Sequence, residues 1–260
     1  MILKEVKKTT WAWSCLFVLL FLFAMMTLDY SSLSTFSLTL GQEVIRGLSQ
    51  PDWAFFYDGS GEDLFSLLLL TLAIACLGTM IATICAIPIT LISAANLWQS
   101  APWVAKFGKT FCNILRAFPE LVYAIIFVKI VGPGPFAGVM AIGVHQVGML
   151  GKLFTEEMES MNDHLIEEVQ AVGGNFWQTM FFVRVPYLAP IYSSFALNHF
   201  EIAVRSAATL GLVGAGGIGA PLIFAIQTRS WSKVSIILLG VVVTVFLLDQ
   251  LTGIIRKKLR

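Results

Sequence analysis

Apolar residues gather in long runs along this chain, and the runs at 11–29, 64–93, 110–131, 136–153, 187–209 and 233–255 predict about six membrane-spanning helices. About 20 apolar residues suffice to cross a bilayer core. The fourth and fifth runs carry polar residues in their interior. Between them lies a polar island, Asn162 to Pro186, with a helical pattern of its own. Leu165, Val169 and Val172 fall at helical spacing with Ile166 beside them, and Glu167, Glu168 and Gln170 fall on or near the other face. That pattern predicts an amphipathic helix, started by a cap at Asn162 or Asp163. Gly173 and Gly174 then permit a sharp reversal. Asn175 caps a second helix, in which Phe176, Met180 and Val183 fall at helical spacing, and Pro186 marks the start of the fifth span. Loops this long with their own pattern are usually functional, so the island reads as a docking surface for a partner outside the membrane. The rival reading is a helix lying on the membrane surface.

Composition agrees with a chain that lives in lipid. The 260 residues are 57% hydrophobic and 13% charged, with a mean hydropathy of +0.80, against roughly 25% charged residues in soluble domains. The net charge of +1 carries no signal for nucleic acid. Charge position is more informative. Lys4, Lys7 and Lys8 precede the first run, and Arg256, Lys257, Lys258 and Arg260 follow the last. Basic flanks favour the cytoplasm, so both termini are expected inside, in agreement with an even number of spans. The stretch from Tyr30 to Asp63, with Glu43, Asp52, Asp58, Glu62 and Asp63 against Arg46, then lies outside, and the turn at 131–135 lies outside as well. The loop from Asn96 to Lys109 and the Asn162–Pro186 island lie inside. The apolar run from Trp11 to Leu28 has no small-residue cleavage site after it and is long for a signal core. It reads as a retained first helix. Without a low-complexity linker, residues 1–260 read as one transmembrane domain.

The candidate chemistry is sparse. Cys15, Cys76, Cys85 and Cys112 lie in apolar runs without metal-ligand spacing and read as small packing residues. His145, His164 and His199 are scattered, so no metal site and no catalytic constellation is expected. Gly108-Lys109-Thr110 ends like a phosphate-binding loop, but the glycine that such a loop needs is replaced by Trp103 and no strand precedes it. Gly214-Ala215-Gly216-Gly217-Ile218-Gly219 satisfies G-x-G-x-x-G, yet no βαβ unit surrounds it and Gly240-Val241-Val242 stands where an acidic residue should hold a ribose. A break in the helix near the membrane explains the glycines better. It either lines a pathway or permits tight packing.

The island also carries a family resemblance. With Glu167 in the acid position, Glu168 and Val169 where two alanines are usual, Gly173 three residues further on, and Val183-Arg184-Val185-Pro186 at the end, it resembles the cytoplasmic loop of ABC importer permeases. The strings N-I-L-R-A-F-P-E-L-V-Y-A-I-I-F-V at 113–128 and F-E-I-A-V-R-S-A-A-T-L-G-L-V-G-A-G-G-I-G at 200–219 are similar to phosphonate-type permeases. The resemblance implies an all-α integral membrane protein of the type I ABC importer permease fold, in a bacterial inner (cytoplasmic) membrane, with a cytoplasmic coupling-helix loop at 154–186. It implies import of phosphonate or a related phosphorus oxyanion such as phosphite, hypophosphite or phosphate. It further implies a second permease copy, two cytoplasmic ATPase subunits that hold ATP and Mg, and an extracytoplasmic solute-binding protein. No cofactor is expected in this chain and no nucleic acid among its partners. Glu167, Glu168, Ala171, Gly173, Gly174 and Pro186 are the expected coupling residues. An ABC permease for another small solute, such as an amino acid, is the alternative, and a stand-alone secondary transporter is a more distant one.

Ionisable groups inside spans are costly and often functional. Glu201 and Arg205 stand at i and i+4 in the fifth span, where they can face each other. Arg116 and Glu120 repeat the spacing in the third, and His145 and Gln146 sit inside the fourth. An oxyanion needs cationic or N–H donors along its path, and an arginine fork matches phosphonate oxygens. Arg116, Glu120, His145, Gln146, Glu201, Arg205, Ser206, Gly214, Gly216 and Gly217 are therefore candidates for lining a pathway. Each charged pair can instead neutralise itself and fix helix packing.

Overall fold

The computed structural model describes residues 2–28, 38–59 and 61–259. Tyr30 and Arg260, used above to orient the chain, lie outside the described residues. The described chain is helical, and it divides into two compact units, Met1–Arg46 and Gly47–Arg260. The first unit is built on α1 (Ile2–Thr27), whose residues from Trp13 to Leu28 are exposed on every side. A helix that is apolar all round belongs in lipid or against other helices. The helix α2 (Leu38–Leu48) carries the chain from the first unit into the second.

In the second unit Asp63 caps α3 (Leu64–Ser93), its carboxylate accepting from the Ser66 N–H at 2.8 Å. Then follow α4 (Pro102–Ala117), α5 (Glu120–Val131) and α6 (Pro135–Ser160). The loop after α6 supplies α7 (Asp163–Ala171) and α8 (Phe176–Thr179), and α9 (Val185–Leu210), α10 (Gly219–Gln227) and α11 (Trp231–Leu259) complete the unit. Among the described residues, four segments are long and apolar enough to cross a membrane: Leu64–Ser93, Pro135–Ser160, Phe176–Val213 and Trp231–Lys258. The shorter apolar stretch Trp13–Thr27 lies in α1.

Two helices differ in kind from the sequence expectation. The third run, 110–131, is not one helix. It stops at Ala117, and Phe118 and Pro119 are extended with ψ of 133° and 143°. The residue before a proline is pushed out of the helical region, and Pro119 does this to Phe118. The fifth span does not begin at 187 either. It continues without a break from α8 through a wide turn at Met180–Arg184 into α9, in which the Val185 N–H bonds the Met180 carbonyl. A short helix, α10, occupies the segment after the glycines, where the apolar pattern shows no span.

The helices meet through small residues. Ala75, Ala124, Ala141, Ala203, Ala207 and Ala215 are buried where α3, α5, α6 and α9 converge. A Cβ on Gly78 of α3 would come 2.7 Å from Ile142 of α6, and one on Gly148 of α6 would come 2.7 Å from Leu115 of α4. Membrane helices gain little by excluding lipid from each other, so close backbone approach and dispersion hold them instead. Beside Ala82 and Ala86 of α3 the packing is aromatic. Phe154 stacks on Tyr192 with centroids 4.0 Å apart, and the Tyr192 hydroxyl donates to the Phe154 carbonyl at 2.8 Å. Of the cysteines, Cys112 is buried, whereas Cys15, Cys76 and Cys85 are exposed.

Candidate functional site

The loop between α6 and α9 folds as two capped helices. Asn162, rather than Asp163, caps α7, its side chain accepting from the His164 N–H at 3.0 Å. At the other end the Gly173 N–H bonds the Gln170 carbonyl and the Gly174 N–H bonds the Val169 carbonyl, each at 2.9 Å. This pair of bonds is the Schellman arrangement, which needs a left-handed residue just past the cap. Gly173 supplies it with a φ of 86°. The two glycines serve different needs. A side chain on Gly173 would meet nothing within 4 Å, whereas a Cβ on Gly174 would lie 2.6 Å from the Val169 carbonyl. The close approach expected at the reversal therefore belongs to Gly174, and Gly173 is needed for its backbone angle.

Asn175 then starts α8 with a reciprocal cap. Its side chain accepts from the Gln178 N–H at 2.9 Å, and the Gln178 side chain accepts from the Asn175 N–H at 2.8 Å. Ile166 is the residue of α7 that turns inward. Val172, Phe176, Trp177, Phe181 and Phe182 are exposed, with Trp177 and Phe181 stacked at 6.2 Å. Glu167 and Glu168 are exposed, and Glu167 lies 3.5 Å from His164. Ala171 is exposed at the end of α7, and Pro186 lies in the first turn of α9. An apolar rim beside the Glu167 and Glu168 carboxylates gives this loop an exposed amphipathic surface.

Inside the helices the pairs expected from spacing do not form. Glu201 bonds across to α11, where its Oε1 accepts from the Thr252 hydroxyl and from Arg256 Nη2. Arg205, one turn further along α9, is exposed and has no hydrogen bond or ion pair among the described residues. A partner on the neighbouring helix wins because Arg256 reaches Glu201 without bending along the surface of the same helix. Arg116 and Glu120 are separated by the break at Phe118–Pro119 and so are not one turn apart on a helix. Arg116 is exposed, with no ion pair among the described residues. The Glu120 Oε1 is buried without a hydrogen-bond partner, and the Ser206 side chain of α9 reaches toward that carboxylate. Gln146 is buried on α6, donating from Nε2 to the His199 carbonyl at 2.9 Å. His145 lies beside the Tyr123 ring, with centroids 6.4 Å apart.

A cavity of about 280 Å³ opens between α4 and α6, lined by Lys109, Cys112, Asn113, Lys152, Thr155, Glu156 and Glu159. Sequence reasoning passed over these residues because no motif joins them. Lys109 donates to Glu159 at 2.8 Å, and the same carboxylate accepts from the Ala95 N–H at 2.6 Å. Lys109, Asn113 and Arg116 follow each other at i, i+4 and i+7, one face of α4. Lys109 and Asn113 of that face line the cavity, and Arg116 stands beyond it at the end of α4. His199, read from the sequence as one of three scattered histidines, is buried, its carbonyl accepting from Gln146.

The glycine-rich break is closely packed. Gly214, Gly216 and Gly217 have φ of 85°, 84° and 78°. The Gly214 carbonyl accepts from the Gly134 N–H at 2.8 Å, and the Ile218 N–H donates to the Thr71 hydroxyl at 3.0 Å. A Cβ on Gly216 would meet Pro135 at 2.8 Å, and one on Gly217 would meet the Thr71 oxygen at 2.7 Å. Backbone angle alone accounts for Gly214, and backbone angle together with packing accounts for Gly216 and Gly217.

Several long apolar helices joined through a loop of two capped helices define an all-helical membrane protein. Residues 86–260 match the family of binding-protein-dependent transport system inner membrane components, and the chain belongs to that family. It is similar to the phosphite transport system permease protein PtxC of Stutzerimonas stutzeri, with 35% identity over 72% of this chain and 68% of that protein. It is also similar to the phosphate-import permease protein PhnE of Mycolicibacterium smegmatis, with 32% identity over 78% of this chain. The match covers 38% of that longer relative. Among solved structures, an inward-facing methionine ABC transporter MetNI aligns with a TM-score of 0.63 at 17% identity, over 86% of this chain and all of that one. An amino acid ABC transporter aligns with a TM-score of 0.61, also at 17% identity. These two likenesses establish the fold as that of ABC importer permeases.

Proposed function

We propose that this chain is the membrane subunit of an ATP-driven importer for a phosphorus oxyanion, working by alternating access. Two copies would enclose the pathway, and each would carry one cytoplasmic ATPase on its α7–α8 loop. An extracytoplasmic binding protein would deliver the solute. Both termini and the α7–α8 loop would face the cytoplasm, following the basic flanks at Lys257 and Lys258. ATP and Mg would be held by the ATPase, since the glycine motifs of this chain serve helix packing.

The observation that carries the oxyanion reading is Arg205, exposed at membrane depth on α9 and without an ion-pair partner among the described residues. An unpaired guanidinium is costly at that depth. Its fork of donors suits two oxygens of one phosphorus centre. The names of the relatives, a phosphite permease and a phosphate-import permease, support the same solute class. Arg116, Asn113 and Lys109 would continue the path to the cytoplasmic cavity. Glu120, Ser206, His145 and Gln146 would line or support it. A solute that must leave again should not be held tightly, so separate weak cationic stations suit transport better than one closed pocket.

The test is reconstitution of the permease with its ATPase and binding protein in liposomes. Uptake of phosphite or methylphosphonate that depends on ATP is the expected result. Uptake of an amino acid with no oxyanion uptake would replace the solute class, and uptake without any ATPase would overturn the ABC mechanism.

A further inference from the structure

Among the described residues Arg205 stands unpaired, although a carboxylate lies one turn before it on the same helix. That carboxylate, Glu201, is occupied. Its side chain is 12% exposed, and its Oε1 receives both the Thr252 hydroxyl and Arg256 Nη2 from α11. Arg256 belongs to the basic last turn of α11, so the guanidinium reaches back along its own helix toward Glu201. Long basic side chains commonly extend this way near the end of a membrane helix. Arg256 Nε has no further partner, so the guanidinium is committed to Glu201 alone among the described residues.

We infer that Arg256 is a positioning residue: by occupying Glu201 it keeps the Arg205 guanidinium free for the transported oxyanion. The inference rests on the reading of Arg205 as a pathway residue. The physical argument is one of competition. Residues at i and i+4 on a helix stand about 6 Å apart at Cβ. A carboxylate released there would turn to the only cation within that reach on α9, and an arginine already bound to a carboxylate has little left for a weak, transient anion. Arg256 outbids Arg205 because it approaches together with the Thr252 hydroxyl, so that Glu201 is satisfied by two donors from one neighbouring helix. The Asp249 carboxylate, exposed on α11, has no hydrogen bond or ion pair among the described residues and does not take part in this arrangement.

The assembled transporter in liposomes tests the inference. Arg256→Gln should reach the membrane and retain its ATPase, yet lose phosphite uptake by at least about tenfold, within the roughly hundredfold scale of one unit charge about 6 Å away at an effective dielectric of about 20. Adding Glu201→Gln to it should restore uptake to within about threefold of the unmodified protein, because the competing charge is gone. Adding Asp249→Asn instead should restore nothing. Arg256→Lys, which keeps the charge, should retain most of the uptake. ATP hydrolysis stimulated by the binding protein should persist in Arg256→Gln, a readout that a folding defect would not spare. Unchanged uptake in Arg256→Gln, no rescue by Glu201→Gln, or a loss of uptake matched by a loss of membrane abundance would each overturn the inference. If the unmodified complex imports no phosphorus oxyanion, the solute reading fails instead, and that arm is measured first.

Discussion

The Thr71 hydroxyl accepts the Ile218 N–H at 3.0 Å while donating to the Leu67 carbonyl at 2.7 Å. One side chain of α3 thus completes the backbone of the glycine-rich break, where a buried N–H has left its helix and has no helical acceptor. Gly217, whose missing Cβ makes room for the Thr71 oxygen, is the other half of the same contact.

Thr71→Val keeps the shape and removes the acceptor. The buried Ile218 N–H is then unsatisfied, at a cost of about 1–3 kcal/mol. The purified protein should melt at a lower temperature in detergent, and Thr71→Ser should melt close to the original. A Thr71→Val protein as stable as its parent would mean that water reaches the Ile218 N–H.

The two glycines of the cytoplasmic reversal should respond oppositely to substitution. Gly173→Asn should be mild, because asparagine tolerates a left-handed backbone and space is open there. Gly173→Ala should cost about 1–2 kcal/mol through that backbone angle. Gly174→Ala should be the more disruptive, since its Cβ meets the Val169 carbonyl. ATPase co-purification across the three variants measures this, and equal retention in all of them would separate the reversal from docking.

Asp63 links the cap of α3 to pH. Hydrogen bonds from the Ser66 N–H and hydroxyl hold its carboxyl below the usual carboxylate range, against an opposing effect of burial. A carboxyl lowered by folding adds stability that is present above its unfolded value, near 3.9, and is lost as pH falls through the lower folded value. The difference in melting temperature between the parent and Asp63→Ala should therefore be constant from about pH 6 to 8 and should shrink only below about pH 4. A difference that already closes near pH 6 would show that the cap bonds are not what lowers the carboxyl.

Orientation is open to direct chemistry. In a background without the four native cysteines, a cysteine at Tyr57 should react with an impermeant thiol reagent in intact cells. Cysteines at Val172 and Lys257 should react only after the membrane is opened. Tyr57 and Val172 are well exposed, so a failure to react reports sidedness rather than burial. Labelling of Lys257→Cys from outside would invert the proposed topology.

How much of this was legible in the sequence depended on the range of the forces involved. Apolar run length identified α3, α6 and α11, because lipid imposes it locally. The caps at Asn162 and Asn175 and the turn at Gly173 were legible for the same reason: each is settled by residues two to five positions apart. Glu201 was read wrongly. Spacing along α9 pointed to Arg205, while the true partner, Arg256, is 55 positions away in sequence and close only once α9 and α11 pack. The Arg116–Glu120 pair failed on a signal that was present, since Pro119 follows Phe118 and forbids a continuous helix. The cavity beside Lys109 had no local signature, for its lining residues come from two helices about 40 positions apart along the chain.

The wide turn at Met180–Arg184 has one more consequence. An α-helix advances about 100° per residue, and a turn closed five residues back admits one residue more than the helix needs. The aromatic side chains of α8 are thereby set out of phase with the apolar stripe of α9, although both belong to one unbroken rod. Each end of that rod has its own rotational origin. Substitutions can retune the face shown to the cytoplasm without turning the face that packs in the membrane, and the two surfaces of a single helix are free to diverge separately.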